Sequence, residues 1–224
     1  NNATIALDTT TNAFTGAVTI TTNDNTGIDA DVTIDGGTTA LILAASTIDG
    51  DLTLTSGHAS GITDNGTVTV GGNLAATTDD NNGVINLGTL AVDGTIALTT
   101  NGNGAATVVN DAGLNFAAST VRGNLAATAA TGNISDSGNL TIAGTSSFTT
   151  SATDATITLN NANAFTGAVS LNTTGSSAHA TVVDASGLNL GASTVGGNLV
   201  ATATTGNMTD SGALTVAGTT TLTT

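Results

Sequence analysis

The side chains able to do chemistry are few and nearly all of one kind. The 224-residue chain has sixteen acidic residues, every one an Asp, together with His58, His179 and a single fixed cation, Arg122. Glycoside chemistry needs two carboxylates facing each other, and general acid–base chemistry needs a carboxylate or imidazole tuned by a neighbour. The densest group of oxygen ligands is Asn23-Asp24-Asn25-Thr26-Gly27-Ile28-Asp29-Ala30-Asp31. Ca²⁺ takes carboxylate and carbonyl oxygens of this kind, so Asp24, Asn25, Asp29 and Asp31 are candidate Ca²⁺ ligands. The run lacks the spacing and closing Glu of an EF-hand, and its competing reading is a polar insertion loop. No other cofactor is expected. Asn-x-Ser/Thr occurs at Asn2, Asn65, Asn133, Asn139, Asn172 and Asn207. These read as glycan acceptors, or as chance triplets in a chain rich in Asn and Thr.

The residues around these groups exclude several functions. Cys, Pro, Trp and Tyr are absent, as are Lys, Glu and Gln, and the formal net charge is −15. A chain with one Arg and no Lys cannot neutralise a row of phosphates, so no nucleic-acid partner is expected. Anionic membranes repel it for the same reason. No apolar run is long enough to span a bilayer, so no membrane insertion is expected. Yet 39% of the residues are hydrophobic, and they alternate with Thr, Ser and Asn, as in Thr67-Val68-Thr69-Val70 and Ile157-Thr158-Leu159. Period-two alternation with β-branched residues predicts strands, and Gly and Asn break every apolar run at about strand length.

An internal repeat organises these strands. Ala106–Thr150 and Ala180–Thr224 align without a gap and are identical at 30 of 45 positions. A weaker copy contains AASTIDGDL at 44–52 and GITDNGTVTVGG at 61–72, and ATIALDTTTNAFTGAV at 3–18 matches ATITLNNANAFTGAV at 155–169. A unit of about 73 residues follows, with copies at 1–79, 80–152 and 153–224. Thr224 matches the point where the second copy hands over to the third, so the array reads as one continuous rod cut from a longer one. The fold expected is all-β: a right-handed parallel β-helix, or β-solenoid, with three strands per turn. About three turns of roughly 24 residues per unit, stacked about 4.8 Å apart, give about nine turns and about 45 Å. Gly and Asn are expected to supply positive-φ corners, as in Gly66-Thr67-Val68 and Gly197-Asn198-Leu199.

Differences between copies sort the side chains. Phe116, Ile134, Ile142 and Phe148 become Leu190, Met208, Val216 and Leu222, exchanging size while staying apolar, as stacked core positions can. Asp111, Arg122 and Asn139 become Ala185, Gly196 and Ala213, as solvent-facing positions do. His58 aligns with Thr131 and His179 with Ala105, so no candidate acid–base group recurs. The chain is therefore not expected to be an enzyme. Ice binding would need a Thr-x-Thr rank on the same outward strand in every turn, and the pairs Thr202/Thr204 and Thr219/Thr221 do not recur at one turn spacing.

NAFTGAV, GASTVGGNL and TDSGALTVAGTTTLT resemble the repeats of filamentous-haemagglutinin-type giant adhesins, exoproteins of Gram-negative bacteria often exported by two-partner secretion. The resemblance covers all three copies. It implies an extracellular, cell-surface β-helical shaft, with adhesion usually placed elsewhere on the molecule. The function expected is thus a structural, non-catalytic shaft repeat of a bacterial surface fibre or adhesin. Its expected partners are further copies of the same repeat end to end, including self-association into fibres. The alternative is a binding module whose solenoid face recognises a glycan or surface partner, in which case a glycan array gives signal that surface substitutions abolish.

Overall fold

The computed structural model of the chain describes residues 3–23 and 30–224. The chain divides into two compact units, Asn1–Asn110 and Asp111–Thr224. Both are parallel β-solenoids, and the chain makes about nine turns in all without a helix among the described residues.

The first unit holds β1 (Ile5–Leu7), β2 (Val32–Asp35), β3 (Leu41–Leu43), β4 (Ser46–Ile48), β5 (Leu52–Ser56), β6 (Ile62–Asp64), β7 (Val68–Val70), β8 (Leu74–Asn81), β9 (Ile85–Val92), β10 (Ile96–Asn101) and β11 (Ala106–Asn110). Strands β1, β2, β5, β8 and β10 follow one another in one sheet, and β3, β4, β6, β7, β9 and β11 form the other. Val32, Leu52, Leu74 and Ile96 stand in register one above another, so a turn takes 20 to 22 residues. Their neighbours alternate: β5 reads LTLTS, with Leu52, Leu54 and Ser56 buried and Thr53 exposed. Thr55, Thr77 and Thr99 also stack in register on the outward side. Single threonines thus recur at turn spacing in this row. The companion row runs Thr33, Thr53, Ala75 and Ala97, so only the Thr53/Thr55 rung is a full Thr-x-Thr.

The second unit holds β12 (Leu114–Phe116), β13 (Ser119–Val121), β14 (Leu125–Ala129), β15 (Ile134–Asp136), β16 (Leu140–Ile142), β17 (Ser146–Thr153), β18 (Ile157–Phe165), β19 (Val169–Thr174), β20 (Ala180–Asp184), β21 (Leu188–Leu190), β22 (Ser193–Val195), β23 (Leu199–Ala203), β24 (Met208–Asp210), β25 (Leu214–Val216) and β26 (Thr220–Thr223). One sheet takes β12, β13, β15, β16, β18, β20, β23 and β26; the other takes β14, β17, β19, β21, β22, β24 and β25. Most turns thus carry three strands, a straight one and a rung broken in two, laid over two sheets. Where the rung is continuous, as in β9 and β18, a turn carries two.

The break in the rung is a kink, not a loop, which is why a turn is shorter than expected. In three of the broken rungs its motif is Ala-Ser-Thr-Ile/Val, at Ala45, Ala118 and Ala192, whereas β6/β7, β15/β16 and β24/β25 break at Thr/Ser-Asp-Asn/Ser-Gly. The buried hydroxyls of Ser46, Ser119 and Ser193 donate to the carbonyls of Ala44, Ala117 and Gly191 at 2.8–2.9 Å. Ser46 and Ser193 also accept the Ile20 and Leu171 N–H groups from the adjoining turn, at 3.0 Å. The bend therefore gives each of these three hydroxyls a partner within the stack.

The repeat is not a whole number of turns. From β12/β13 the chain crosses to β14, back to β15/β16, and on through β17, β18, β19 and β20 to β21/β22, seven half-turns later. Strands β12/β13 and β21/β22 are the same segment of the repeat, yet they lie in opposite sheets. Three whole turns per unit were expected; three and a half are found.

The core of the second unit is an aromatic column. Phe148 meets Phe116 and Phe165 edge to face, with centroids 6.2 and 6.1 Å apart. The next copy carries Leu190 and Leu222 at two of these positions, so the column accepts a branched aliphatic of smaller volume. In urea denaturation, Phe148→Leu should cost less than about 1.5 kcal/mol, whereas Phe148→Ala should cost about 3–5 kcal/mol.

Candidate functional site

Two of the acidic residues, Asp31 and Asp51, stand at the bend just before a straight strand. In the first unit Asp31, Asp51, Asn73 and Thr95 occupy successive bends one turn apart. Asp31 Oδ1 accepts the Asp51 N–H at 2.8 Å, Asp51 Oδ1 accepts the Asn73 N–H at 2.6 Å, and Asn73 Oδ1 accepts the Thr95 N–H at 2.9 Å. Side chains strengthen the column: Asn73 Nδ2 donates to Asp51 Oδ1 and the Thr95 hydroxyl to Asn73 Oδ1. Two stacked carboxylates repel, and the column passes from Asp to Asn to Thr rather than continuing as Asp.

The second unit builds the same device from other residues. Asn124 Oδ1 accepts the Thr145 N–H and Asn133 Oδ1 the Thr156 N–H. His179 Nδ1 accepts the Asn198 N–H and Asn198 Oδ1 the Thr219 N–H, both at 2.9 Å. Asp, Asn and His are interchangeable here because each places an acceptor at the same reach from its Cβ.

This column also explains the Gly-x-Leu pattern. A Cβ on Gly50, Gly72, Gly144, Gly197 or Gly218 would fall on the acceptor atom of Asp31, Asp51, Asn124, His179 or Asn198. Positive φ is confined to Gly37, Gly61, Gly102, Gly175, Asn82 and Asp154 among the described residues. The expected positive-φ role for these bend glycines is thus corrected: they are needed for space. Their backbones stack as well, with the Gly72 N–H donating to Gly50 O and the Gly218 N–H to Gly197 O, each at 3.0 Å.

A second set of carboxylates clamps the continuous rungs. Asp64 accepts the Gly88 N–H at 2.9 Å and the Thr89 N–H at 2.7 Å, with a third bond from the Thr89 hydroxyl. Its repeat counterpart Asp136 accepts the Asn160 and Asn161 N–H groups at 3.0 and 3.2 Å and the Asn163 amide at 2.8 Å. A third set is fully buried. Asn110 spans Val92, accepting its N–H and donating to its carbonyl. Asp184, the counterpart of Asn110, accepts the Phe165 N–H at 3.1 Å through one oxygen and the Ser186 N–H and hydroxyl through the other. Asn163 Oδ1 accepts the Leu140 N–H at 2.7 Å.

Of the four candidate Ca²⁺ ligands, Asp24, Asn25 and Asp29 lie outside the described residues, and Asp31 belongs to the bend column. No group of three or more acidic or imidazole side chains is placed to hold a metal ion among the described residues. His58 turns back on its own loop, its Nδ1 accepting the Ser60 N–H at 3.0 Å. Arg122 is exposed at the turn after β13. A shallow depression of about 320 Å³ in the first unit is bordered by Asp35, Asp79, Asp80, Gly37 and Gly57; Asp35 Oδ1 there accepts the Gly37 N–H at 2.7 Å.

Three segments of the chain, residues 29–85, 103–172 and 177–224, match a family described as repeats of unknown function, DUF5649. The chain belongs to this family. The three matched segments begin at equal steps along the sequence, in phase with the internal repeat. No curated protein and no solved structure matches the chain.

The clamping carboxylates give the sharpest expectation. Asp136→Ala strands the Asn160 and Asn161 amides and should cost about 1.5–3 kcal/mol in urea denaturation. Asp184→Asn keeps one acceptor, for the Phe165 N–H, but turns an NH2 towards the Ser186 N–H, so it should cost less than Asp184→Ala, which should cost about 1–3 kcal/mol.

Proposed function

We propose that the chain is a non-catalytic structural shaft of an extracellular bacterial surface fibre or adhesin. The observation that carries this reading is where the polar chemistry goes. Asp31, Asp51, Asp64, Asp136, Asp184 and His179 each accept a backbone N–H, most of them from the adjoining turn. The side chains that elsewhere would bind substrate here join turn to turn. The outward Thr, Ser and Ala rows are small and largely uncharged, which suits a surface that must not stick. The resemblance of NAFTGAV and TDSGALTVAGTTTLT to filamentous-haemagglutinin-type repeats supports export and a place at the cell surface.

A shaft has a length-dependent role and a binding module has a face-dependent one. Deleting residues 106–179 removes one repeat and joins Ala105 to Ala180 in phase. In the producing cell this should shorten the fibre by about 17 Å, three and a half turns of about 4.8 Å. Replacing the outward Thr55, Thr77 and Thr99 by Ser should leave attachment unchanged. Attachment lost on those outward substitutions, with the length unaffected by the deletion, would establish the glycan-binding alternative instead.

A further inference from the structure

Four Asn residues are followed directly by Gly: Asn65, Asn82, Asn101 and Asn103. In such a pair the Gly backbone nitrogen can attack the side-chain carbon of the Asn, because no Cβ stands in the way. The fold gives the four pairs different geometries. Three of them lie on two stacked corners, where β8 turns into β9 and β10 into β11. Asn82 Oδ1 accepts the Asn103 N–H at 2.8 Å, and the Gly83 N–H donates to Asp80 O at 3.2 Å. The Gly104 N–H donates to Asn101 O at 2.9 Å, and Gly104 is buried. In both pairs the attacking nitrogen is turned towards a backbone carbonyl. Asn65-Gly66 is held at the kink between β6 and β7. The Asn65 N–H donates to Leu43 O at 2.9 Å, and a Cβ on Gly66 would lie 2.7 Å from the Ala45 nitrogen.

Asn101-Gly102 differs from the other three. The Gly102 N–H donates to Oδ1 of Asn101 itself, at 2.9 Å. The side-chain amide therefore lies against the nitrogen that would attack it. Both residues are exposed, so water and hydroxide reach them. Gly102 has φ +59°, a conformation that Gly adopts without steric cost.

We infer that Asn101 is a site of spontaneous covalent modification, deamidating through Gly102 to aspartate and isoaspartate. Hydroxide takes the Gly102 amide proton, and the nitrogen attacks Cγ of Asn101. The new N–Cγ bond closes a succinimide ring, and the side-chain nitrogen leaves as ammonia, taking its third proton from water. Water then adds to either ring carbonyl and opens the ring. The net change consumes one water and releases one ammonia. Opening one way leaves an ordinary Asp; opening the other way routes the main chain through the side-chain carbon. The new carboxylate stands one turn above the segment that carries Asp79 and Asp80, because Asn101 pairs with Asn81. In the isoaspartate form the carbonyl of residue 101 also shifts, and it is the acceptor for the Asn82 and Gly104 N–H groups at 3.1 and 2.9 Å. Modification therefore loosens a corner that joins two turns. On the shaft reading, it marks the age of an individual fibre.

Incubation of the 224-residue chain at mildly alkaline pH, folded and in urea, tests this. Ammonia release gives the total, and peptide mapping with fragmentation assigns each site. In the folded chain Asn101 should react first, at least about tenfold faster than Asn82 and Asn103, whose attacking nitrogens are freed by local opening. In urea the four pairs should react at similar rates, because only the shared Asn-Gly sequence then acts. Asn101→Ser should abolish the fast ammonia release of the folded chain, with circular dichroism checking that the β spectrum is kept. Asn65, Asn82 or Asn103 reacting as fast as Asn101 in the folded wild-type chain would overturn the inference. So would an Asn101 that stays intact in the folded chain while the urea sample reacts. The rates are read on the isolated chain, so they stand or fall separately from the fibre-length result that tests the shaft.

Discussion

Every bend of a solenoid leaves backbone amides beyond the reach of the strand ladder, and each must find an acceptor. Water can serve at an open surface, but only a side chain from the turn beneath ties one turn to the next. This chain meets the constraint with one atom per bend, supplied by Asp31, Asp51, Asn73, Asn124, Asn133, His179 or Asn198. Most of the composition follows. A short side chain with an acceptor at the γ position is wanted, so Asp and Asn abound and Glu and Gln are absent. The acceptor rises into the space of the next bend, and a Gly stands there in six of these seven cases, Ala155 above Asn133 being the exception. The net charge of −15 is in large part a by-product of supplying acceptors to amides.

The half-turn left over in each repeat matters in a different way. In the second unit, the same segment lies in one sheet as β12/β13 and in the other as β21/β22. Equivalent positions therefore face opposite directions, and both sheets must accept both kinds of rung. That limits what any position can be. A straight strand and a kinked rung have to stack on each other wherever the pattern changes over, as where β20 follows β18 with a register shift between Leu159 and Asn163. Asp136 and Asn163 sit at such a changeover, where the ladder is interrupted and side chains take over its bonds.

Much of this was legible in the residues. Alternation in LTLTS and VTV marks the strands, and the pairing of Phe116 with Leu190 and Phe148 with Leu222 marks the core. Alternation does not reveal which sheet a strand joins, so the three-and-a-half-turn period was hidden behind an assumed whole number. The bend glycines were visible as punctuation, but their cause lies in an atom one turn away, which no local pattern contains. Asp64, Asp136 and Asp210 recur as Thr-Asp-Asn-Gly, Ser-Asp-Ser-Gly and Thr-Asp-Ser-Gly, a signal that marks the clamp once copies are compared. Asp184 gave no such signal, because its counterpart is Asn110 and the exchange resembles a surface change. Asp31 stood out as part of an acidic run, whereas its partner, the Asp51 amide, is 20 residues away.

A solenoid held in this way stiffens as its turns accumulate, because each acceptor binds the turn above it while its own backbone amide is held by the turn below. Small outward residues keep the faces unreactive, and the reactive groups face neighbouring turns. The central claim is that bend side chains join the turns. Amide hydrogen exchange followed by NMR tests it most directly, at the N–H groups of Asp51, Asn73 and Thr95 in the wild-type chain and in Asn73→Ala. These exposed bends should exchange slowly in the wild type, and Asn73→Ala should release the Thr95 amide while the Asp51 amide stays protected. Fast exchange at all three in the wild type, or a Thr95 amide indifferent to the loss of Asn73, would contradict the account.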